Sequence, residues 1–145
     1  GPGLGGEPDR GEGDVPVNQA RSEQVGRRLA AIADSKKAED LVVLDMRELV
    51  AFTDFLAICT ARSERQARAI VDEVRLRVKR ESGLLPGGVD GGGEAGWTIL
   101  DYLDCVLHVF TPEARERYGL EDLWRDAPRL ELDFDAPEAP EAASA

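Results

Sequence analysis

WTILDYLDCVLHVF, residues 97–110, consists of two apolar, strand-like runs with almost nothing between them. Such a pair makes an antiparallel β-hairpin. With a two- or four-residue turn, Leu100 pairs with Cys105, Ile99 with Val106 and Trp97 with His108. Successive side chains on a strand point to opposite faces. One face therefore carries Thr98, Leu100, Cys105, Leu107 and Val109, and the other carries Trp97, Ile99, Asp101, Asp104, Val106, His108 and Phe110. A three-residue turn would shift the cross-strand partners by one and leave that division intact.

The same stretch holds two aspartates, a cysteine and the only histidine of the chain. Cys105 and His108 are three residues apart, so a regular strand keeps them on opposite faces. They cannot form a thiolate–imidazolium pair or share a metal ion there. Asp101 and Asp104 flank Tyr102-Leu103 and can approach each other across the hairpin mouth, where paired carboxylates hold Mg²⁺ or move protons. Acidic residues at a turn are more commonly solvated turn formers. No metal and no cofactor is expected. The face with Trp97 and His108 mixes large rings with polar groups, the chemistry of a contact surface. A half-buried pair beneath a helix or tail is equally compatible with the pattern.

Upstream, residues 83–96 are too glycine-rich for regular structure beyond a short strand near Leu84 and Leu85, and they lack the lysine and Ser/Thr of a phosphate-binding loop. Before them lies the clearest helix. Ser63 and Gln66 form a capping box, Ala67, Ile70, Val71, Val74 and Val78 make an apolar stripe, and Ser82-Gly83 ends it. Its other side carries Arg65, Arg68, Arg75, Arg77, Lys79 and Arg80, which reads as a solvated face or as an RNA or partner contact. FLAICT (55–60) and LVVLDM (41–46) are buried strands, and Val25, Leu29, Ile32 and Ala33 mark a first helix from about Gln19 to Lys37. Downstream, Thr111 can N-cap a short helix that begins at Pro112 and ends at Gly119.

The expectation is a single α/β domain over residues 19–130, with a mixed β-sheet of about five strands flanked by helices. Residues 1–18 and 131–145 are rich in Gly, Pro, Ala and acid and read as disordered extensions. The opening Gly-Pro-Gly reads as a processing remnant. Of the formal charge of −11, −3 falls on residues 1–18, −3 on 19–125 and −5 on 126–145. A domain of that charge lacks the footprint of a general nucleic-acid binder and suits a basic protein partner. No apolar run is long enough for a bilayer, no signal segment opens the chain, and Cys59 and Cys105 read as buried free thiols, so a cytoplasmic location is expected.

In order along the chain stand a strand ending in Asp45, the pair Thr53-Asp54, SERQ at 63–66, WTILDY at 97–102, HVF at 108–110 and RERYGLEDLW from 115. This ordered set, spread over about residues 20–130, closely resembles the ribosomal silencing factor family, also called the Iojap-like proteins. The resemblance implies a non-enzymatic translation repressor. Its relatives bind the large ribosomal subunit through ribosomal protein fourteen of that subunit and block docking of the small subunit when nutrients are short. Organelle relatives assist large-subunit assembly, and some members are homodimers. The implied fold is nucleotidyltransferase-like without the catalytic set. Matched position by position, the resemblance suggests Trp97, Asp101 and Tyr102 as the partner surface, with His108 and Phe110 beside them, and gives Arg65 and Gln66 a structural role at the helix start. The chain departs from the family at Gly87-Gly88, where relatives tend to have a leucine-glycine pair, and at Leu103 and Ala61-Arg62, where they favour glycine. The competing expectation is a Mg²⁺-dependent nucleotidyltransferase-like enzyme using Asp101 and Asp104, or Asp45 and Asp54. A third is an RNA-binding module built on the arginine-rich helix.

Overall fold

The computed structural model describes residues 17–90 and 96–134. Among them the chain runs α1 (Val17–Ser35), β1 (Glu39–Asp45), β2 (Phe55–Thr60), α2 (Glu64–Ser82), β3 (Gly88–Asp90), β4 (Trp97–Asp101), β5 (Cys105–Phe110), α3 (Pro112–Tyr118) and α4 (Leu120–Leu123). The expected disordered extensions lie almost wholly outside the described residues, as does the stretch 91–95. Leu130 and Leu132 pack against the core. The folded part therefore runs past the boundary expected at residue 130.

The strands form one mixed sheet in the order β1-β2-β5-β4-β3. β2 and β5 are parallel neighbours, and the connection between them carries α2, β3 and β4. All six residues of β2 are buried, which is why FLAICT is apolar on both faces instead of alternating. α1 and α2 cover one face, where Leu29, Ile32, Ile70 and Val74 meet Phe55, Leu100, Leu107 and Val109. α3, α4 and the chain after Trp124 cover much of the other, over Leu44, Met46, Leu56, Ile58 and Phe110.

Local chemistry places the helices. Ser63 Oγ accepts the Gln66 N–H at 3.1 Å, and Gln66 Oε1 accepts the Arg62 N–H at 2.7 Å. The Gln66 amide nitrogen also donates to the carbonyls of Lys36 and Lys37, at 3.2 and 2.9 Å. One side chain thus caps α2 and ties it to the end of α1. Thr111 Oγ1 caps α3 through the Ala114 N–H, and Gly119 ends α3 and begins α4.

Two expectations are corrected. The strand sought near Leu84 and Leu85 is β3, at Gly88–Asp90. Pro86 has no N–H to offer a ladder, and pairing with β4 starts only where the Gly87 N–H reaches the Asp101 carbonyl at 2.6 Å. The hairpin register is also offset by two residues: Trp97 pairs with Phe110, Ile99 with His108, Leu100 with Leu107 and Asp101 with Val106. The Tyr102 N–H closes the turn on the Cys105 carbonyl at 3.0 Å, leaving Leu103 and Asp104 as the loop. The cause is the burial of Tyr102, which draws it out of the turn and into the ladder. A shift of two preserves strand parity, so the two faces keep the side chains expected of them.

Gly96 lies at φ +82°, and a Cβ there would collide with the side chain of Thr111, the cap of α3. Gly83 has a similar φ of +76° with open space around it. Gly96→Ala is expected to lower stability by about 2 kcal/mol and Gly83→Ala by about 1 kcal/mol in urea titrations. Equal losses would rule out the Thr111 contact as the difference.

Candidate partner-binding surface

Register and parity bring Trp97, His108 and Phe110 together on the sheet face that α3 partly covers. The Trp97 indole N–H donates to His108 Nδ1 at 3.0 Å. The indole ring lies 5.1 Å from Phe110 and 4.8 Å from Tyr118, centre to centre. Accepting at Nδ1 keeps the imidazole neutral with its proton on Nε2. Burial pushes the His108 pKa down to about 4, against the opposite pull of Asp101. Phe110 is fully buried and His108 nearly so. They form the floor of the face, and Trp97, half-buried, is its edge.

Asp101 stands at the end of the same face, where its Oδ1 accepts the Leu103 N–H at 2.8 Å and shapes the turn. Tyr102 is separated from the other four. It lies on the opposite face beneath α1 and α2, 5% exposed, and lines a cavity of about 620 Å³ with Arg21, Gln24, Val25 and Val78. Its hydroxyl is buried and makes no hydrogen bond in this structure, and desolvation raises its pKa.

The other aspartates have structural partners too. Asp45 receives two hydrogen bonds from the Arg47 guanidinium, at 2.9 and 2.7 Å, which hold its carboxyl below the usual range. Asp54 accepts from the buried Ser22 hydroxyl at 2.6 Å. Asp45 and Asp54 thus have separate partners, and among the described residues no three His, Cys, Asp or Glu side chains gather closely enough to hold a metal ion. Burial lifts the Cys59 thiol to about 12 and raises Cys105 as well, so both are poor nucleophiles. No helix among the described residues is long and apolar enough to cross a membrane.

Two exposed apolar residues were not expected as contacts. Phe52 and Leu103 are 68% and 71% exposed. The Thr53 hydroxyl donates to the Leu103 carbonyl at 2.8 Å, which holds the loop before β2 against the hairpin tip. Leu103 also sits at φ +69°, a left-handed conformation that costs a branched side chain energy. The signal was legible as a large apolar residue where a turn favours glycine. With half-buried Ile99 and Val106, these residues make an apolar rim at one end of the sheet.

The sequence profile described as "Ribosomal silencing factor during starvation" matches residues 19–145. The chain belongs to the ribosomal silencing factor family. It is 40% identical over 105 residues to a ribosomal silencing factor of Bacillus subtilis, covering 72% of this chain and 88% of that one. A solved crystal structure from Bacillus halodurans superposes with a TM-score of 0.62 at 35% identity, over 78% of this chain and 99% of the other. A more distant relative, at 24% identity over 80% of this chain and 54% of its own, is the mouse protein named "Mitochondrial assembly of ribosomal large subunit protein 1". Ribosomal silencing factors are regulators and not enzymes, which accords with aspartates engaged in turns and ion pairs.

Two measurements test the geometry. Tyr102→Phe removes a buried hydroxyl that has no partner, so it is expected to leave stability unchanged or raise it by about 1 kcal/mol. A loss of stability would show that the hydroxyl is bonded. His108 binds its proton far less readily folded than unfolded, so stability is fully present above the unfolded pKa near 6.5 and is lost as pH falls toward about 4. Between pH 7 and pH 5 the wild type is expected to lose about 2 kcal/mol more than His108→Leu in paired denaturant titrations.

Proposed function

We propose that this chain binds the large ribosomal subunit through ribosomal protein fourteen of that subunit, on the face that receives the small subunit, and represses translation by occlusion. The observation that carries the reading is the exposed apolar pair Phe52 and Leu103 at the hairpin tip next to Asp101, with Trp97 at the far end of β4 on the same sheet face, in a chain of the ribosomal silencing factor family. An occluding mechanism needs affinity and bulk at one place and no reacting group. Large rings and aliphatic side chains that are already ordered supply affinity at low entropic cost. Asp101, at the edge of the rim, and the net negative domain suit a basic ribosomal protein. Trp97, Asp101, His108 and Phe110 then divide the work: the first two touch the partner, and the last two hold Trp97 in place. Tyr102 acts from the far face by fixing the hairpin tip. The place of action on this reading is the cytoplasm.

The test is to mix purified subunits with increasing protein and follow formation of joined particles by light scattering. Wild-type protein is expected to suppress joining at saturation. Phe52→Asp and Leu103→Asp, both at exposed positions, are expected to need about tenfold more protein, as is Trp97→Ala once its folding has been checked by circular dichroism. Asp101→Arg is expected to weaken the block as well. Joining that proceeds unchanged at saturating wild-type protein would sink the proposal.

A further inference from the structure

The arginine-rich side of α2 plays no part in the surface described above. α2 carries six basic and four acidic residues in a chain of net charge −11. Two of its four acids are occupied: Glu73 and Glu81 face Arg77, and Glu81 also binds Arg28 at 2.6 Å. Among the described residues no carboxylate lies within ion-pair distance of Arg65, Arg68, Arg75, Lys79 or Arg80. All five are exposed. At 3.6 residues per turn, positions 65, 68, 75 and 79 fall on one stripe, which runs roughly 20 Å along the helix. Asp72 is the one acid among them.

A solvated helix face does not account well for this arrangement. Lysine and arginine favour the last turn of a helix, where they meet the negative end of its dipole. Arg65 and Arg68 stand near the opposite end, where positive charge is disfavoured. Five neighbouring cations with one acid, Asp72, among them repel one another, and a bound polyanion relieves that repulsion. The C-terminal half of α2 also lies beside the hairpin tip, because Val78 and Ser82 line the same cavity as Tyr102, Leu103 and Asp104. A partner met end-on by Phe52 and Leu103 therefore brings its surroundings alongside the stripe.

We infer that the stripe Arg65, Arg68, Arg75 and Lys79, flanked by Arg80, contacts the phosphate backbone of ribosomal RNA next to the protein site, without reading base sequence. This rests on the proposed binding to the large subunit and adds a second contact to it. The acidity of the rest of the chain keeps affinity for naked RNA low. Anchoring through the rim raises the local phosphate concentration, so the stripe acts after docking.

The experiment measures equilibrium binding of the full chain to purified large subunits between about 0.05 and 0.5 M KCl, a span of about one decade of salt. Arg68→Gln, Arg75→Gln and Lys79→Gln combined are expected to weaken binding about tenfold at low salt and to lower the slope of log K against log salt by about 2. Leu103→Asp is expected to weaken binding with the slope unchanged. Because both native thiols are buried, Leu76→Cys, on an exposed position of the stripe, takes a tethered hydroxyl-radical source selectively and is expected to cut ribosomal RNA. Equal affinity and slope for the triple variant overturn the inference, and so does a radical source that marks only protein, which would make the occupant an acidic protein surface. Absence of binding by the wild type at every salt concentration overturns the large-subunit reading itself, and the stripe's role with it.

Discussion

β2 is buried along its whole length and hydrogen-bonded on both edges, and the remainder of the structure is arranged to make that burial complete. One edge is met cheaply by β1, its neighbour in sequence. The other is met by β5, a parallel partner that arrives only after α2, β3 and β4 have passed. Parallel pairing of this kind carries a loop-closure cost before any contact is gained. α2 offsets it by packing on the face it crosses, with its start fixed by Ser63 and Gln66 and its apolar stripe turned inward. When β5 reaches β2, the hairpin brings β4 with it, and the Trp97 edge comes into being as a by-product of covering β2.

Much of this was legible in the chain because it is local. The α2 cap, its stop at Gly83 and the Thr111-Pro112 start of α3 are written in neighbouring residues, and the division of Trp97, His108 and Phe110 from Leu100, Cys105 and Leu107 follows from strand parity alone. What escaped was set by distant contacts. The hairpin register depends on Tyr102 finding cover beneath α1 and α2, and nothing in DYLD announces it. The second core depends on Ala127 and the residues around it returning over Leu44 and Phe110, so of the two readings left open for that face, contact surface or half-buried pair under a helix or tail, part of each holds. Leu103 stood out only as a large apolar residue in a turn, and the nearness of its loop to the one that carries Phe52 emerges with the Thr53 bond.

The hairpin carries chemistry-bearing residues that the fold spends on shape. Asp101 directs a turn, His108 holds an indole, and Cys105 fills a core position where its thiol is inert. A regulatory protein that needs no reacting group gains from this economy. Its surface is held rigid by groups which in an enzyme would be mobile or reactive, and a rigid apolar rim loses little entropy on docking.

The outer edge of β1 is not left open. The Asp45 N–H donates to the Pro128 carbonyl at 2.7 Å and the Leu130 N–H to the Val43 carbonyl at 2.9 Å, with Arg129 bridged to Leu44. The opposite edge, β3, is three residues long and contains a glycine and an aspartate. A sheet blunted in this way at both ends gives neighbouring copies little template for strand addition. Copies of the molecule can therefore be brought to high concentration without their sheet edges recruiting one another into fibres.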